Sequence, residues 1–162
     1  MVADVLAGRM QARFKRDRSR ADVVTGMLDG LPVTLGKPLT FMNLSGGPVA
    51  ALRSFYKVPA ERIVVVHDEL DLPFGVVRVK AGGGDNGHNG LRSITSSLGT
   101  RDYARVRVGI GRPPGRMDPA DYVLRDFSRA EQEQLPEVTD RAADMTEAAA
   151  ARGVAATQNE YH

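Results

Sequence analysis

The sequence predicts an α/β protein with a mixed, twisted sheet flanked by helices, and three observations support this prediction. Short apolar or alternating runs typical of strands recur along the chain, and segments with helical spacing of apolar residues separate them. No internal repeat or low-complexity linker interrupts this alternation. The length of 162 residues, 42% of them hydrophobic, is that of one domain with a single core, so residues 1–162 are assigned to one domain.

Three elements are predicted in the first half of the chain: an amphipathic helix over 2–15, a hairpin formed by 23–28 and 31–35, and a helix around 49–56. The hairpin follows from Asp29-Gly30, because this dipeptide readily adopts the positive φ angles of a two-residue turn. A loop over 37–47 precedes the second helix, and Pro59 ends it.

The second half predicts strands over 62–67, 76–80 and 104–110, and helices over 91–98, over 118–124 and from Ser128 onwards. The run R-I-V-V-V-H at 62–67 is typical of a strand buried on both faces. The other two strands alternate apolar and basic residues, so we expect one exposed face on each. Ser128 and Glu131 have the spacing of a capping box, and Pro136 is placed where it opens a second helical segment.

Composition excludes several classes of protein. The absence of cysteine excludes disulfides, thiolate metal sites and a cysteine nucleophile. No apolar run approaches the roughly 18 residues of a membrane span. The N-terminus carries an acid early and its basic residues after the apolar stretch, which is the wrong order for a secretory signal peptide. We therefore expect a cytoplasmic protein without a membrane partner.

Charge is distributed unevenly along the chain. Residues 1–116 contain 18 Lys and Arg against 10 Asp and Glu, whereas residues 117–162 contain 4 against 10. The basic residues concentrate at 9–20 and 101–116, which is compatible with a polyanionic partner. Charge alone leaves open the alternative that these runs are solvated faces or flexible arms.

Three polar clusters are candidates for a functional site. The first, H-D-E-L-D-L at 67–72, places Asp68 at the carboxyl end of a strand, where open α/β sheets usually bind ligands. His67 is the neighbour of Asp68 and points to the opposite face, so we interpret it as structural. Asp68 has the alternative role of a strand-end cap.

The second cluster is G-G-G-D-N-G-H-N-G at 82–90, whose five glycines let the backbone approach a ligand closely. Its match to G-x-G-x-x-G does not predict a dinucleotide site, because the next strand ends in glycine instead of an acidic residue. His88 and Asn89 offer an imidazole and an amide, which are suited to positioning a carbonyl or a water. The alternative is a loop in which these side chains satisfy their own backbone.

The third cluster is K-P-L-T-F-M-N-L-S-G at 37–46. Asn43 precedes a helix, and Phe41 offers a stacking surface. A helix N-cap and a core phenylalanine explain the two residues equally well.

The three clusters and R-V-R-V-G-I-G-R-P at 105–113 occur in one order along the chain, and together they resemble bacterial peptidyl-tRNA hydrolases over essentially its whole length. The resemblance implies an α/β fold with a mixed sheet between helices. It also implies that the chain is a monomer that hydrolyses the ester joining a peptide to the 3′ ribose of tRNA and so recycles tRNA from stalled or aborted translation. Peptidyl-tRNA is the expected partner, and neither a metal nor an organic cofactor is expected.

The resemblance also implies roles for individual residues. Asp68 orients and polarises the catalytic histidine, Asn43 holds the substrate and its attacking water, and Asn89 supports the site. Phe41 and His88 line it. The residues expected to meet the tRNA backbone are Arg78, Lys80 and Arg107.

The N-terminal region differs from the family pattern. The family has an additional first strand with a G-N-P-G segment, followed by a T-R-H-N segment that supplies the general-base histidine. Neither segment occurs in this sequence, and none of His67, His88 and His162 matches the position of the base. We therefore expect the chain to be truncated relative to the family, to lack the first strand and to be inactive as given. The alternative function is a catalytically silent RNA-binding module on the same fold, similar to chloroplast splicing factors related to these hydrolases.

Overall fold

The computed structural model describes residues 1–85, 87–112, 115, 117–118 and 126–162. The helices are α1 (Val2–Arg9), α2 (Gly46–Tyr56), α3 (Asn89–Leu98), α4 (Arg129–Arg152) and α5 (Val154–Tyr161). The strands are β1 (Lys15–Arg16), β2 (Ala21–Leu28), β3 (Leu31–Pro38), β4 (Val64–Glu69), β5 (Val77–Ala81) and β6 (Ala104–Gly109). Strands and helices alternate, which confirms the α/β prediction. Most of the helix predicted at 118–124 lies outside the described residues.

Contacts group the chain into two compact units. The first contains residues 3–64 and 81–104, and the second contains 65–80 and 105–162; Met1 and Val2 fall in the first and the second unit, respectively. The assignment of residues 1–162 to one domain stays a prediction. No helix within the described residues has the length and apolar character needed to cross a membrane.

The first unit contains a three-stranded antiparallel sheet in the order β1-β2-β3. The predicted hairpin is confirmed: Asp29 and Gly30 have φ angles of 49° and 79°, and Leu28 pairs with Leu31 on either side of the turn. The right-handed twist of paired strands is matched by a turn with two positive φ angles, so this short connection sets the register of the whole hairpin.

The predicted helix over 2–15 is wrong in its second half. α1 ends at Arg9, and Gln11 adopts a left-handed φ of 55° that breaks the helix. The basic residues that follow form β1, which pairs along β2 through the partners Lys15↔Val23 and Arg16↔Asp22. Pairing with the next strand therefore overrides the helical spacing of Val2 to Phe14.

The second sheet has the order β4-β6-β5 and is mixed, as predicted. The backbone amides of Ala104 and Ile110 donate to the carbonyls of Ile63 and Glu69, each at 3.0 Å. Because both partners advance together along the chain, β4 and β6 are parallel.

β5 and β6 run antiparallel. The amide of Gly109 donates to the carbonyl of Val76 at 2.8 Å, and the amide of Gly82 donates to the carbonyl of Tyr103 at 3.0 Å, so one partner advances as the other recedes. β6 is therefore the central strand of this sheet and β5 is an edge strand.

The position of each strand in the sheet corrects two predictions of burial. β4 is an edge strand, and its residues 64–66 are only half-buried, so the prediction of burial on both faces is wrong. β6 is central, and its Arg105 is 1% exposed, so the prediction of an exposed arginine face is wrong at this residue. Periodicity alone did not distinguish an edge strand from a central one.

α4 begins with the predicted capping box. The hydroxyl of Ser128 accepts from the amide of Glu131 at 3.2 Å, and the carboxylate of Glu131 accepts from the amide of Ser128 at 2.9 Å. Pro136 lies inside this helix and does not open a second segment, which corrects the prediction. The capping box fixes the helix before Pro136, and a buried stripe that includes Val138, Ala142 and Met145 holds it after the missing N–H.

α5 covers the free edge of β5. The side-chain amide of Gln158 donates to the carbonyl of Val79 at 2.9 Å, and Nε2 of His162 accepts from the amide of Val79 at 3.1 Å. Two side chains therefore satisfy both backbone groups of an edge-strand residue.

α2 and α3 pack closely at Gly46, the first residue of α2. Its amide donates to Oγ of Ser93 at 2.8 Å. A Cβ at Gly46 would overlap the backbone of Ser93 and the hydroxyl of Ser97, whereas a Cβ at Gly47 would meet only the guanidinium end of Arg20, at 3.1 Å. Only glycine permits this approach of the two helices.

We predict that Gly46→Ala lowers the free energy of unfolding by about 1–3 kcal/mol, the usual cost of overpacking. Gly47→Ala is the matched control, because it adds the same methyl group one residue later, where a flexible side chain moves aside. Its effect is expected to be neutral or stabilising, since alanine has the higher helix propensity. Urea denaturation of the three proteins measures the difference, and equal values for the two variants would contradict the packing argument.

We also predict that the contact of His162 with β5 depends on pH. Burial, and secondarily the positive charge of Arg78, lowers the pKa of His162 in the folded protein. The unfolded chain binds a proton near the ordinary pKa of about 6.5, so the stabilisation is complete above that pH and is lost as pH falls through the lowered pKa.

The test compares the melting temperature of the parent with that of His162→Gln, whose side-chain carbonyl accepts the same hydrogen bond without titrating. Between about pH 7.5 and about pH 5 the parent should lose more stability than the variant, because only its acceptor titrates there. Parallel pH curves for the two proteins would exclude this role of His162.

Candidate active site

A single 3₁₀ turn over Met42–Leu44 carries Asn43 and leads directly into α2. The amide of Leu44 donates to the carbonyl of Phe41 at 2.8 Å, and the hydroxyl of Ser45 donates to the carbonyl of Met42 at 2.8 Å. The residue preceding α2 is Ser45, so Asn43 is not its N-cap. Phe41 is 82% exposed, so it is not a core residue and its ring face is accessible for stacking.

A groove of about 310 Å³ lies between this turn and α3 in the first unit. The residues that line it all have polar side chains: Asn43, Asn89, Arg92, Ser93, Ser96 and Ser97. The structure therefore brings two of the predicted residues, Asn43 and Asn89, to one groove. The side-chain amides of these two asparagines make no hydrogen bond with another described residue, so both are available to a ligand.

Four groove residues were missed by the sequence reasoning: Arg92, Ser93, Ser96 and Ser97. A pattern in the sequence could have identified them: together with Asn89 they recur at the i, i+3, i+4, i+7 spacing of one helix face. The opposite face is apolar and buried through Leu91, Ile94 and Leu98. The hydrophobic face of α3 thus orients the polar face into the groove.

The glycine-rich segment forms a turn that presents the start of α3. The carbonyl of Asp85 accepts from the amide of His88 at 2.8 Å, and its carboxylate accepts from the amide of Gly87 at 2.9 Å. Gly87 has a φ of 78°, a conformation that favours glycine. Asp85 also lies 3.7 Å from Nε of Arg92, so the same acid connects the turn to the groove.

His88 is the N-cap of α3. Its Nδ1 accepts from the amide of Leu91 at 3.1 Å, which places the proton of the neutral ring on Nε2. Gly90 leaves room for the folded-back ring, because a Cβ there would come within 2.8 Å of Cε1 of His88. The alternative interpretation, in which this loop satisfies its own backbone, is therefore correct for His88, whereas the side chain of Asn89 makes no hydrogen bond with another described residue.

Asp68 lies in the second unit, one residue before the end of β4, and is half-buried. His67 is buried, and its Nδ1 contacts the backbone oxygen of Asp68 at 2.7 Å. The alternating burial of these neighbours agrees with the prediction that they point to opposite faces.

Arg78 and Lys80 project from one face of β5, while Val77 and Val79 are buried on the other. Arg78 is exposed, and Lys80 is partly buried. Burial lowers the pKa of Lys80, and the nearby positive charges of Arg107 and Arg105 lower it further. A phosphate at this position would raise the pKa of Lys80 again, because a nearby anion favours the charged ammonium.

Arg107, the third residue expected to meet tRNA, has an internal partner. Its Nε and Nη2 each lie 2.9 Å from Oε1 of Glu69, and its side chain is 18% exposed. This pair is mostly withdrawn from water, so removal of either charge would leave the other uncompensated. The tRNA contact of Arg107 stays a prediction, and the structure adds a positioning role towards Glu69.

The groove offers neutral amides and hydroxyls, and these groups are suited to ester hydrolysis. Such groups donate to a carbonyl oxygen as negative charge develops on it, without titrating near neutrality. Within the described part of the chain, no group of three or more His, Asp and Glu side chains has the arrangement of a metal site.

Comparison with known proteins identifies relatives over the full length. A family model described as peptidyl-tRNA hydrolase matches residues 1–162. The peptidyl-tRNA hydrolase of Frankia casuarinae is 65% identical over 162 residues, covering 100% of this chain and 82% of that protein. The corresponding protein of Streptomyces coelicolor is 59% identical over 169 residues, covering 100% and 84%.

Solved structures agree with the sequence relatives. The crystal structure of peptidyl-tRNA hydrolase from Acinetobacter baumannii has a TM-score of 0.91 at 32% identity, covering 99% of this chain and 82% of that one. The fold expected from the resemblance is thus confirmed. The matched relatives are named as hydrolases, which favours an enzyme over the catalytically silent RNA-binding module.

Proposed function

This chain belongs to the peptidyl-tRNA hydrolase family, and on that premise we propose that it cleaves the ester between the peptide and the 3′ ribose of peptidyl-tRNA. The products are a free peptide and a tRNA returned to translation in the cytoplasm. The observation that carries the proposal is the groove with Asn43 and Asn89, whose amides are not engaged by other described residues.

The two amides have separate tasks in this proposal. Hydrolysis adds water to the ester carbonyl, and the carbonyl oxygen becomes an oxyanion before the ribose oxygen leaves with a proton. Asn43 holds the substrate and the attacking water, and Asn89 supports their position. A positioned amide that donates to the oxyanion contributes about 10²–10³-fold to the rate.

The neighbouring side chains extend the groove. Phe41 offers an exposed ring on which a base of the tRNA 3′ end stacks, a contact worth about 1–3 kcal/mol per base. Arg92 supplies positive charge and Ser96 supplies a hydroxyl, so both are suited to the ribose-phosphate chain. His88 precedes Asn89 as the N-cap of α3, and the resemblance makes it a further residue that lines the site.

Asp68, Arg78 and Lys80 belong to the second unit, and their roles are proposed from the resemblance. Asp68 accepts a hydrogen bond from an imidazole and keeps the tautomer that removes a proton from water. Its half-exposed carboxylate at the end of β4 is compatible with this task. Arg78 and Lys80 neutralise tRNA phosphates, which the exposed face of β5 permits.

The rate of this chain is proposed to be low. In His88 and His162 the nitrogen that could take a proton already accepts from a backbone amide, and His67 is buried. The accepting nitrogen is Nδ1 in His88 and Nε2 in His162. Release of peptide should nevertheless exceed uncatalysed hydrolysis, since substrate binding and oxyanion stabilisation persist without the base.

We predict that His88→Asn leaves the single-turnover rate of peptide release unchanged. Asparagine keeps the N-cap acceptor for Leu91 but has no imidazole, so only proton transfer by His88 is removed. A decrease of about 10²–10⁴-fold, the size of a lost general base, would instead identify His88 as the base. His88→Ala serves as the structural control, because it removes the cap as well as the ring.

Asn43→Asp is predicted to lower the single-turnover rate by about 10²-fold or more, because a carboxylate of the same shape repels the oxyanion that the amide stabilises. Ser96→Ala is the matched control in the same groove and should have a small effect. Release of labelled peptide from peptidyl-tRNA measures both. An unchanged rate in Asn43→Asp would remove Asn43 from the mechanism, and no release by the parent above the uncatalysed rate would refute the proposed function.

A further inference from the structure

The segment 13–20 carries a dense positive charge that the proposed site does not use. It contains the five cations Arg13, Lys15, Arg16, Arg18 and Arg20, all of them exposed, and a single acid, Asp17. We call this segment the basic arm.

Most of this charge is not neutralised inside the protein. Arg16 pairs with Asp22 at 3.2 Å while remaining 75% exposed. Among the residues that the structure describes, Arg13, Lys15 and Arg18 form no ion pair. By contrast, Lys37 in the same unit lies 2.8 Å from Asp4 and 4.3 Å from the ring centroid of Phe14, so its charge is used internally.

The single acid of the basic arm stabilises a turn. The carboxylate of Asp17 accepts from the amide of Ser19 at 2.9 Å, and this hydrogen bond lowers the pKa of Asp17. The amide of Asp17 donates to the carbonyl of Ala21 at 2.9 Å, and its carbonyl accepts from the amide of Arg20 at 3.3 Å. Asp17 therefore stabilises the turn, and its single negative charge offsets only a small part of the positive charge of the basic arm.

The basic arm is an ordered part of the first sheet. β1 pairs with β2, and the carbonyl of Arg20 accepts from the amide of Leu39 at 2.9 Å. The alternative of a flexible arm is therefore wrong for this segment. Because the backbone is already fixed, a ligand that binds here does not have to order it, which reduces the entropic cost of association.

The chemistry of the basic arm selects its partner. None of the large hydrophobic side chains exposed within the described residues lies at 13–20, so the segment offers no apolar anchor for a membrane or a protein core. It offers five exposed cations on a short strand and the turn that follows it, and such a cluster is suited to the phosphates of a nucleic acid.

We propose that the basic arm binds the phosphate backbone of the double-stranded part of tRNA, as a contact additional to Arg78 and Lys80. The inference rests on the proposed function, which makes tRNA the substrate. Contacts with phosphates do not depend on the base sequence. The arm therefore contributes affinity for any tRNA and leaves the chemistry at the ester unchanged.

The test neutralises the arm through the triple variant Arg13→Gln, Lys15→Gln and Arg18→Gln. These residues have no ion pair with the described part of the chain, so folding should be preserved. The dissociation constant for uncharged tRNA is measured over a series of salt concentrations. We expect binding to weaken on the order of 10-fold at low salt, and the slope of log Kd against log salt to decrease by about 2–3, because about 0.9 counterion is released per duplex phosphate.

Two controls separate this contact from other effects. The triple variant Lys57→Gln, Arg62→Gln and Arg129→Gln removes the same charge from exposed positions elsewhere and should retain the parental slope. A substrate consisting of a peptide on a C-C-A trinucleotide has no duplex, so parent and arm variant should release its peptide at equal rates.

The outcomes distinguish the two proposals. An unchanged salt slope in the arm variant, or an equal decrease in the control triple, would overturn the role of the arm while leaving the hydrolase function intact. Slower release from the trinucleotide substrate by the arm variant would also overturn it, because the effect would then lie at the ester. If the parent binds no tRNA at all, both proposals fail.

Discussion

The hydrogen bond between the amide of Gly46 and Oγ of Ser93 is the contact on which the candidate site depends. The first amides of a helix have no partner within it, and here one of them is satisfied by the side chain of a neighbouring helix. Asn43 lies three residues before Gly46, and Asn89 lies four residues before Ser93. Each amide is thus about one helical turn from the contact, so the distance across the groove follows from the approach of α2 to α3. Glycine is required there because its lack of a side chain sets the separation of the two helices.

Positive charge in this chain falls into two physically different groups. Arg107 and Lys37 have acidic partners within the protein, so their charges hold strands and helices in place. Arg78 and the cations of the basic arm other than Arg16 present their charges to solvent. A count of Lys and Arg does not separate these groups, because the partner of each cation is set by tertiary structure. The exposed cations attract a polyanion at a distance. The paired cations would first have to give up their acidic partners.

The features that were predicted correctly from the sequence are local ones. Asp29-Gly30 and the pair Ser128 and Glu131 specify a turn and a helix start through their own backbone geometry. The features that were missed depend on strand pairing: β1 exists only because β2 pairs with it, and Arg105 is buried only because β6 is central. At the site, the motifs identified Asn43 and Asn89 but not the hydroxyls of α3, although their helical spacing was visible. The capping role of His88 could not be predicted from the sequence, because an imidazole in a glycine-rich turn is equally suited to catalysis.

The cover that α5 provides over β5 affects how the protein behaves towards other chains. A strand at the edge of a sheet offers unpaired amides and carbonyls to any extended peptide, and this template effect underlies strand exchange and fibrous aggregation. At Val79 both groups are occupied by the side chains of Gln158 and His162, which cannot themselves extend the sheet. An incoming strand must therefore displace these two side chains before it can pair with Val79. α5 thereby makes intermolecular sheet growth at this edge unfavourable, a protection that depends on side chains rather than on the sequence of the strand it covers.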